Sequence, residues 1–244
     1  MNGFPVVTAD EMKRLEKEAF SAGASEEKYM QNAGEGIATA VEKFLIAPSN
    51  TEHIYILIGK GNNGGDGFVA GEILHRKGFS VIAYHLHPLE ECSPLSQKMG
   101  KHFAKAGGKM VHLESEPTFE KGIILDGLVG TGFRGAAEGF LSEVIETANK
   151  SDLPIFAIDI PSGLNGNTGQ VQSIAIKAHT TIFLGLPKIG FYLDQGWNHV
   201  GKLIHVDFGL PEKFIEDADP IAYLPSKEKA AKALPKMERS RHKY

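Results

Sequence analysis

Short runs of apolar, mostly β-branched residues recur along this chain, and stretches with helical spacing separate them. Such runs, when they lack polar alternation, are typical of strands that are buried on both faces of a parallel sheet. Strands that alternate with helices over about 150 residues predict a mostly parallel sheet with helices on both faces. We therefore expect an α/β fold, an α/β/α sandwich of three layers. The strands are predicted at residues 54–58, 81–86, 110–113, 123–125, 155–158, 180–184 and 203–206.

Signals for the start of a helix precede the first of these strands. Thr8 with Glu11 forms a capping box, and Ser25 starts a second helix. Further helices are predicted at 68–77, 93–106 and 140–149. A chain of 244 residues, 42% of them hydrophobic, can form one large domain or two small ones. The continuous alternation favours one domain at 1–218, and the Lys- and Ala-containing stretch 219–244 is predicted to be a tail or linker.

Charge and cysteine content exclude several classes of protein. The net charge of −4 gives no basic excess that would indicate a nucleic-acid partner. Cys92 is the single cysteine, so an intrachain disulfide is impossible, which fits a reducing compartment. We find no secretory signal and no run of about 18 apolar residues that would span a membrane. We therefore expect a cytoplasmic protein that does not bind membranes.

A glycine-rich loop, 59–67, follows the first predicted strand. Its glycines permit a tight path, and exposed N–H groups ahead of a helix suit a phosphate. The spacing also matches G-x-G-x-x-G, but a redox dinucleotide site needs an acidic residue about 20 positions later. The second strand instead ends in His85 and His87, with no carboxylate before Glu90. An ordinary NAD-dependent dehydrogenase is therefore disfavoured. A purely structural alternative is that Asn62 and Asn63 only favour the turn.

Two further strands end in an aspartate followed by glycines. Asp126 precedes 127–135, in which Arg134 could meet a phosphate, and Asp159 precedes Pro-Ser-Gly. Since the carboxyl ends of parallel strands form the ligand-binding edge of such a sheet, these carboxylates are candidate acid/base groups. The alternative is that both are turn or cap residues. Ser162 lacks the G-x-S-x-G context of a hydrolase nucleophile.

The polar residues at these strand ends also indicate a cation site. Asn63, Asp126 and Ser162 offer only oxygen atoms, which with nearby carbonyls could hold a hard cation such as potassium. No Cys or His cluster has the spacing of a zinc site.

With these motifs the chain resembles the YjeF N-terminal domain family, the NAD(P)H-hydrate epimerases, over residues 8 to about 215. The resemblance is carried by Asn-Asn-Gly-Gly-Asp at 62–66, by Asp126 with Gly-Thr-Gly at 130–132, and by Asp-Ile-Pro-Ser-Gly at 159–163. The segment 30–34 is similar to the second helix of the family, and the segment around Lys188 also resembles the family, without an assigned role. The family implies a Rossmann-like sandwich and a homodimer.

The resemblance also implies a function and a set of site residues. The activity would be interconversion of the R and S epimers of hydrated NADH and NADPH, a repair of nicotinamide cofactors. Asp159 would contact the ring and act as acid/base, and Asn63, Asp126 and Ser162 would bind potassium. The hydrated dinucleotide would be bound by Asn62, Asn63, Gly64, Gly65, Asp66, Gly130, Thr131, Gly132, Phe133, Arg134, Gly135, Ala136 and Asp159.

The end of the chain has a resemblance of its own. Leu-Pro at 234–235 followed by Ser-Arg-His-Lys-Tyr at 240–244 is similar to the start of an ADP-dependent NAD(P)H-hydrate dehydratase domain. This predicts a dehydratase domain that is covalently linked to the chain. Two alternatives to an epimerase stay open: a non-catalytic nucleotide- or protein-binding module of the same fold, and an ordinary Rossmann dehydrogenase or methyltransferase.

Overall fold

A computed structural model describes residues 3–45 and 52–235, in which seven parallel strands form the central sheet. The strands of this sheet are β2 (His53–Ile58), β3 (Ser80–His85), β4 (Lys109–His112), β5 (Gly122–Gly127), β6 (Ile155–Ile158), β7 (Thr180–Leu184) and β8 (Lys202–Val206). Their order is β4-β3-β2-β5-β6-β7-β8. A separate antiparallel pair joins β1 (Phe4–Val6) to β9 (Ala222–Leu224).

Helices cover both faces of the sheet. They are α1 (Ala9–Ser21), α2 (Glu26–Phe44), α3 (Asn62–Arg76), α4 (Pro94–Lys105), α5 (Phe140–Lys150), α6 (Gly196–His199), α7 (Glu212–Glu216) and α8 (Lys227–Ala233). Apolar residues of α1 to α4 join the core on one face, and those of α5 join the core on the other. The predicted Rossmann-like three-layer α/β/α sandwich is confirmed.

The side chains of β2 show why the sheet is buried on both faces. Ile54, Ile56 and Ile58 point to the core beneath α2 and α3, whereas Tyr55 and Leu57 point to the core beneath α5. Successive side chains of a strand point to opposite faces. A run that is apolar at every position therefore fits only a strand covered on both faces.

The strand order reverses between β2 and β5. From β2 the chain moves outward through β3 to the edge strand β4, and then returns to place β5 on the other side of β2. The loops after β2 and β5 therefore leave toward opposite faces of the sheet, which opens a crevice at their carboxyl ends. Ligands bind at this switch point in open α/β sheets.

One helix begins earlier than the sequence predicts. We expected a loop at 59–67 and a helix from residue 68, but α3 begins at Asn62. Gly61 is its N-cap, in extended conformation, and Gly64 N donates to Gly61 O at 3.1 Å. Glycines weaken an isolated helix. Here the glycine-rich turn is buried, so tertiary packing outweighs the intrinsic preference.

The segment predicted as a tail or linker contributes a strand. Ala222–Leu224 pairs with Phe4–Val6, and Ile221 N donates to Val6 O at 2.9 Å. The sequence missed this pairing because three-residue strands carry almost no periodic signal. Where the domain ends stays a prediction. The dehydratase-like residues 240–244 lie outside the described residues.

Within 3–45 and 52–235, no helix is long and apolar enough to cross a membrane.

Candidate functional site

A cavity of about 590 Å³ opens at the switch point. Its volume lies in the usual range for small-molecule sites, about 300–1,000 Å³. The loops after β2, β3 and β5 line it, together with the ends of β6 and β7 and the inner sides of α1 and α2. Residues from all three strand-end segments that the sequence singles out line this cavity, but Asp126 and Ser162 are not among them.

The first turn of α3 forms one wall of this cavity. Asn62, Asn63 and Asp66 line it. Asn62 Oδ1 accepts a hydrogen bond from Ser93 Oγ at 2.6 Å, and Asn63 Nδ2 donates to Val129 O at 3.3 Å. Both amides thus connect neighbouring loops, a role beyond the turn formation that was the alternative. The N-terminus of a helix of this length also attracts anions such as a phosphate.

Gly64 and Gly65 lie behind this wall and are absent from the cavity lining. A Cβ at Gly65 would lie 2.6 Å from Met30 Sδ, and a Cβ at Gly64 would lie 2.7 Å from Gly59 O. These two glycines therefore allow α3 to pack closely against α2 and the end of β2. Their observed role is to position the wall.

The loop after β5 divides into two parts. Gly130, Thr131, Gly132 and Phe133 line the cavity, whereas Arg134, Gly135 and Ala136 do not. The Arg134 guanidinium donates to the Thr131 and Phe133 carbonyls at 2.7 and 2.8 Å, and it pairs with Asp10 at the start of α1. In this structure Arg134 thus fastens the loop to α1.

Oxygen atoms cluster around Asp126, which is 0% exposed. Ser162 Oγ and Ser162 N donate to its carboxylate at 2.6 and 2.9 Å, and Leu128 N donates at 3.2 Å. Val129 N donates to Ser162 Oγ at 3.0 Å. Burial raises the pKa of Asp126 to about 6, although the hydrogen bonds from Ser162 and Leu128 oppose this rise.

The cluster has the chemistry of a site for a hard cation. Within the described ranges, the Asp126 carboxylate has no Lys or Arg partner. Asn63 and Ser162 contribute an amide and a hydroxyl, and Val129 contributes a carbonyl that both of these contact. Carboxylate, amide, hydroxyl and carbonyl oxygens are the ligands that hard cations prefer. The residues present therefore fit a cation such as potassium.

Asp159 lies at the end of β6 in a strained conformation. Its φ is +64°, and Ile160 N donates to Ile158 O at 2.7 Å, which closes a tight γ-turn around Asp159. A non-glycine residue with positive φ has a free-energy cost, and such strain concentrates at functional sites. The turn leaves Asp159 on the cavity wall.

The Asp159 carboxylate is paired with a buried cation. Lys188 Nζ lies 2.5 Å from Asp159 Oδ1 and donates to Leu184 O at 2.9 Å. Lys188 is 0% exposed. Sequence reasoning noted the segment around Lys188 without a role for it. The available signal was a lysine a few residues beyond the predicted buried strand 180–184, where a charged side chain has to find a partner.

Three more carboxyl groups line the same cavity, those of Glu16, Glu26 and Asp66. Burial, with a contribution from the nearby Asp159, raises the pKa of Glu16 to about 7. Burial raises the pKa of Asp66 well above its ordinary value, and the charges of Asp159 and Glu16 add to this effect. Sequence reasoning missed Glu16. Its position beside the apolar stripe Met12, Leu15 and Ala19 of α1 was the available signal.

The chain is similar in sequence to proteins of one known family. The family model described as YjeF-related protein N-terminus matches residues 26–190. The chain is 34% identical over 188 residues to the NAD(P)H-hydrate epimerase of Rhodopirellula baltica, and the match covers 75% of each chain. It is 32% identical over 247 residues to the bifunctional NAD(P)H-hydrate repair enzyme Nnr of Moorella thermoacetica. That match covers 98% of this chain and 47% of the relative, so the chain spans about half the length of the bifunctional protein.

A solved structure shows the same fold. The crystal structure of the yeast protein ynu0 has a TM-score of 0.71 to this chain at 20% sequence identity. The superposition covers 91% of this chain and 97% of the yeast chain.

Proposed function

Because the chain belongs to the YjeF-related N-terminal family, we propose that it is an NAD(P)H-hydrate epimerase, which interconverts the R and S epimers of hydrated NADH and NADPH. The observation that carries the proposal is the Asp159 carboxylate, which lines a cavity at the switch point and is held there by a strained turn and by Lys188. Relatives of similar sequence are named NAD(P)H-hydrate epimerases.

The reaction needs a proton donor and a proton acceptor beside the nicotinamide-derived ring. The hydrate is a hemiaminal, with a hydroxyl on a ring carbon next to the ring nitrogen. The nitrogen lone pair forms a C=N bond while the C–O bond breaks, and an acid protonates the departing oxygen to give water. Water then adds to the planar carbon while a base removes its proton, and the C=N electrons return to nitrogen. Asp159 is our candidate acid/base, and such groups contribute about 10²–10⁴-fold.

The cavity walls offer groups that could bind the rest of the substrate. The N-terminal turn of α3 presents backbone N–H groups and the side chains of Asn62, Asn63 and Asp66. Residues 130–133 present a second loop. We expect these segments to bind the hydrated dinucleotide, with Gly64, Gly65, Arg134, Gly135 and Ala136 acting from behind the cavity wall.

We propose potassium as the cofactor at the Asp126 cluster. Asn63, Asp126 and Ser162 would hold it with the Val129 carbonyl. The ion would supply positive charge to the buried Asp126 carboxylate and fix the loops after β2, β5 and β6. Proton transfer would stay with the carboxyl groups of the chain.

Potassium binding predicts a specific effect on thermal stability. An ion that binds the folded state raises the unfolding temperature by mass action. We expect the melting temperature to rise with KCl more than with choline chloride at equal ionic strength. Ser162→Ala should show a smaller difference between the two salts, since it removes one ligand oxygen. An equal response to both salts would argue against a potassium site.

An epimerisation assay tests the proposed function. The purified S-hydrate of NADH is mixed with the protein, and the epimers are separated by chromatography over time. We expect acceleration above the spontaneous rate with the native chain, and its loss in Asp159→Ala. A folded native chain that gives no acceleration, with or without potassium, would favour the non-catalytic binding module. Full turnover by Asp159→Asn would exclude Asp159 as the acid/base group.

The assembly and cellular context belong to the same proposal. We propose a homodimer in the cytoplasm, and we propose that a dehydratase domain is covalently linked to this unit. Support for the linked domain comes from relatives that are named bifunctional repair enzymes. A genomic reading frame with a stop codon directly after Tyr244 would contradict the linked domain.

A further inference from the structure

Epimerisation sets a geometric requirement that a single carboxyl group meets poorly. The hydroxyl leaves from one face of the ring, and water has to return to the other face. A side chain that is fixed beside one face of a planar ring can exchange protons with groups on that face alone. A site with a second proton-exchanging group, supplied by a different element, can serve both faces.

Glu16 of α1 reaches the same cavity as Asp159. Both residues line it, Glu16 from α1 and Asp159 from the end of β6. They are close enough for their charges to interact. Asp159 already pairs with Lys188, whose Nζ lies 2.5 Å from Asp159 Oδ1.

The other acidic residues of α1, Asp10, Glu11 and Glu18, all have ion-pair partners. Glu11 and Glu18 both pair with Arg14, at 2.7 and 2.6 Å. Among the described residues, Glu16 has no hydrogen-bond or ion-pair partner. The carboxyl group of Glu16 is thus free to bind a ligand in the cavity, whereas Glu11 and Glu18 bind Arg14.

A nearby hydroxyl indicates that this part of the cavity is built for a polar ligand. Tyr29 lines the cavity, and its buried hydroxyl has no hydrogen-bond partner within the described part of the chain. The charge of Glu16 affects the pKa of Tyr29, so the two groups are neighbours. An unsatisfied buried hydroxyl costs about 1–3 kcal/mol, a cost that a bound polar ligand would remove.

The backbone fixes α1 relative to the Asp159–Lys188 pair. Val7, just before α1, pairs with Lys188: Val7 N donates to Pro187 O at 3.0 Å, and Ile189 N donates to Val7 O at 2.7 Å. Met12, one turn before Glu16, is buried against the end of β7. The segment that carries Lys188 therefore also anchors the helix that carries Glu16.

From these contacts we infer that Glu16 is the second acid/base residue, which serves the face of the ring that Asp159 does not. This assignment deepens the proposed function and rests on it. In one direction Glu16 gives its proton to the departing hydroxyl and Asp159 takes a proton from the incoming water. In the reverse direction the two exchange roles, so each turnover consumes and releases one proton and one water. The raised pKa of Glu16, about 7, suits both roles near neutral pH.

The test separates loss of inversion from loss of water exchange. NADH hydrate is incubated in ¹⁸O-water with the full chain, and both epimer inversion and ¹⁸O incorporation are followed. In Glu16→Gln, Asp159 can still expel and return water on its own face. We therefore expect inversion to fall by about 10²–10⁴-fold, while one epimer still incorporates ¹⁸O with retained configuration. Glu18→Gln, the matched change on the outer side of α1, should leave both rates unchanged.

Each other outcome rejects the assignment. Native inversion rates in Glu16→Gln would show that Glu16 has no role. Equal losses of inversion and of ¹⁸O incorporation would show that Glu16 acts only through structure or binding. If circular dichroism shows that Glu16→Gln is unfolded, Glu16→Ala replaces it, with the same expected split between the two rates. A native chain that accelerates neither process rejects the proposed epimerase itself, which distinguishes that failure from the failure of Glu16 alone.

Discussion

At the scale of single residues, Asp159 and Lys188 form a buried ion pair. A lysine that is fully buried is costly unless a counter-charge and hydrogen bonds compensate it. Here Asp159 supplies the charge and the Leu184 carbonyl supplies a further acceptor. Asp159 in turn occupies a positive-φ position that a glycine would tolerate at lower cost. The site thus contains both backbone strain and a buried charge, which favours a functional over a purely structural role.

The pair predicts strong energetic coupling. Asp159→Asn keeps a residue that tolerates positive φ but leaves the Lys188 ammonium without a counter-charge, so we expect a loss of about 3–5 kcal/mol in the free energy of unfolding. Lys188→Met alone should also destabilise the protein. The double variant should recover most of the loss, because neither charge is then buried alone. Denaturant unfolding of all four proteins gives the coupling energy, and additive losses would contradict the prediction.

Glu16 predicts a pH effect on stability. Its pKa is about 4.5 in the unfolded chain and about 7 in the folded protein, so between these values the folded state binds more protons. The stabilisation from this group is fully present below pH 4.5 and is lost as pH rises through 7. The groups that face Glu16 are Asp159, Asp66, Lys188, Lys13 and Tyr29.

Unfolding curves at several pH values measure this contribution. We expect the native chain to lose stability relative to Glu16→Gln as pH rises from about 4.5 to 7, because the glutamine cannot ionise. Glu18→Gln serves as the control and should follow the native curve. Parallel curves for the native chain and Glu16→Gln would show that the pKa of Glu16 does not change on folding.

At the scale of elements, the loops that follow β2 and β5 are in close backbone contact at Gly59. A Cβ at Gly59 would lie 1.7 Å from Leu128 O, and Gly59 N donates to Gly127 O at 3.2 Å. No side chain fits at this contact because the neighbouring atom is backbone. A Cβ at Gly61, two residues later, would have no neighbouring atom within 4 Å. Gly61 is the N-cap of α3.

These two glycines form a matched pair for mutation. Gly59→Ser should force the two loops apart, at a cost of about 1–3 kcal/mol, and should slow epimerisation because both loops line the cavity. Gly61→Ser should be neutral or slightly stabilising, because serine is a favoured N-cap. Thermal unfolding and the epimerisation assay check both. Similar effects for the two variants would refute a specific contact between the loops.

Predictions at this scale succeeded where the signal was local and failed where it was not. The strand runs and the caps at Thr8 and Ser25 were read correctly, because side-chain pattern and cap hydrogen bonds are encoded within a few residues. The start of α3 was misplaced because glycines favour loops in isolation. Tertiary packing of this turn, including that of Gly65 against Met30 and Gly64 against Gly59, stabilises a helix there.

For the whole molecule, the segment after residue 218 helps to hold the first elements. Its strand β9 pairs with β1, and Asp219 N donates to Glu11 Oε1 of α1 at 2.8 Å. Deletion of 219–244 should therefore lower the melting temperature and slow epimerisation, because α1 carries Glu16. Deletion of 236–244 alone, which removes none of these contacts, is the control. Equal melting temperatures for the two shortened chains would place the domain boundary at 218, as the sequence predicts.

The sequence alone determined the sheet, its helical layers and the placement of Asp126 and Asp159 at strand ends, because period, glycine spacing and strand composition are local properties of the chain. Only the tertiary structure decided which groups contact them. Lys188 pairs with Asp159, and Ser162 donates to Asp126 and accepts from Val129 N. The tertiary structure also places Glu16 in the cavity lining. Arg134, expected to contact the ligand, lies outside the cavity lining and pairs with Asp10. These contacts join residues far apart in the chain, which come together only when the strands and helices pack against one another. No local pattern encodes that packing, because it follows from the burial of the whole apolar surface at once.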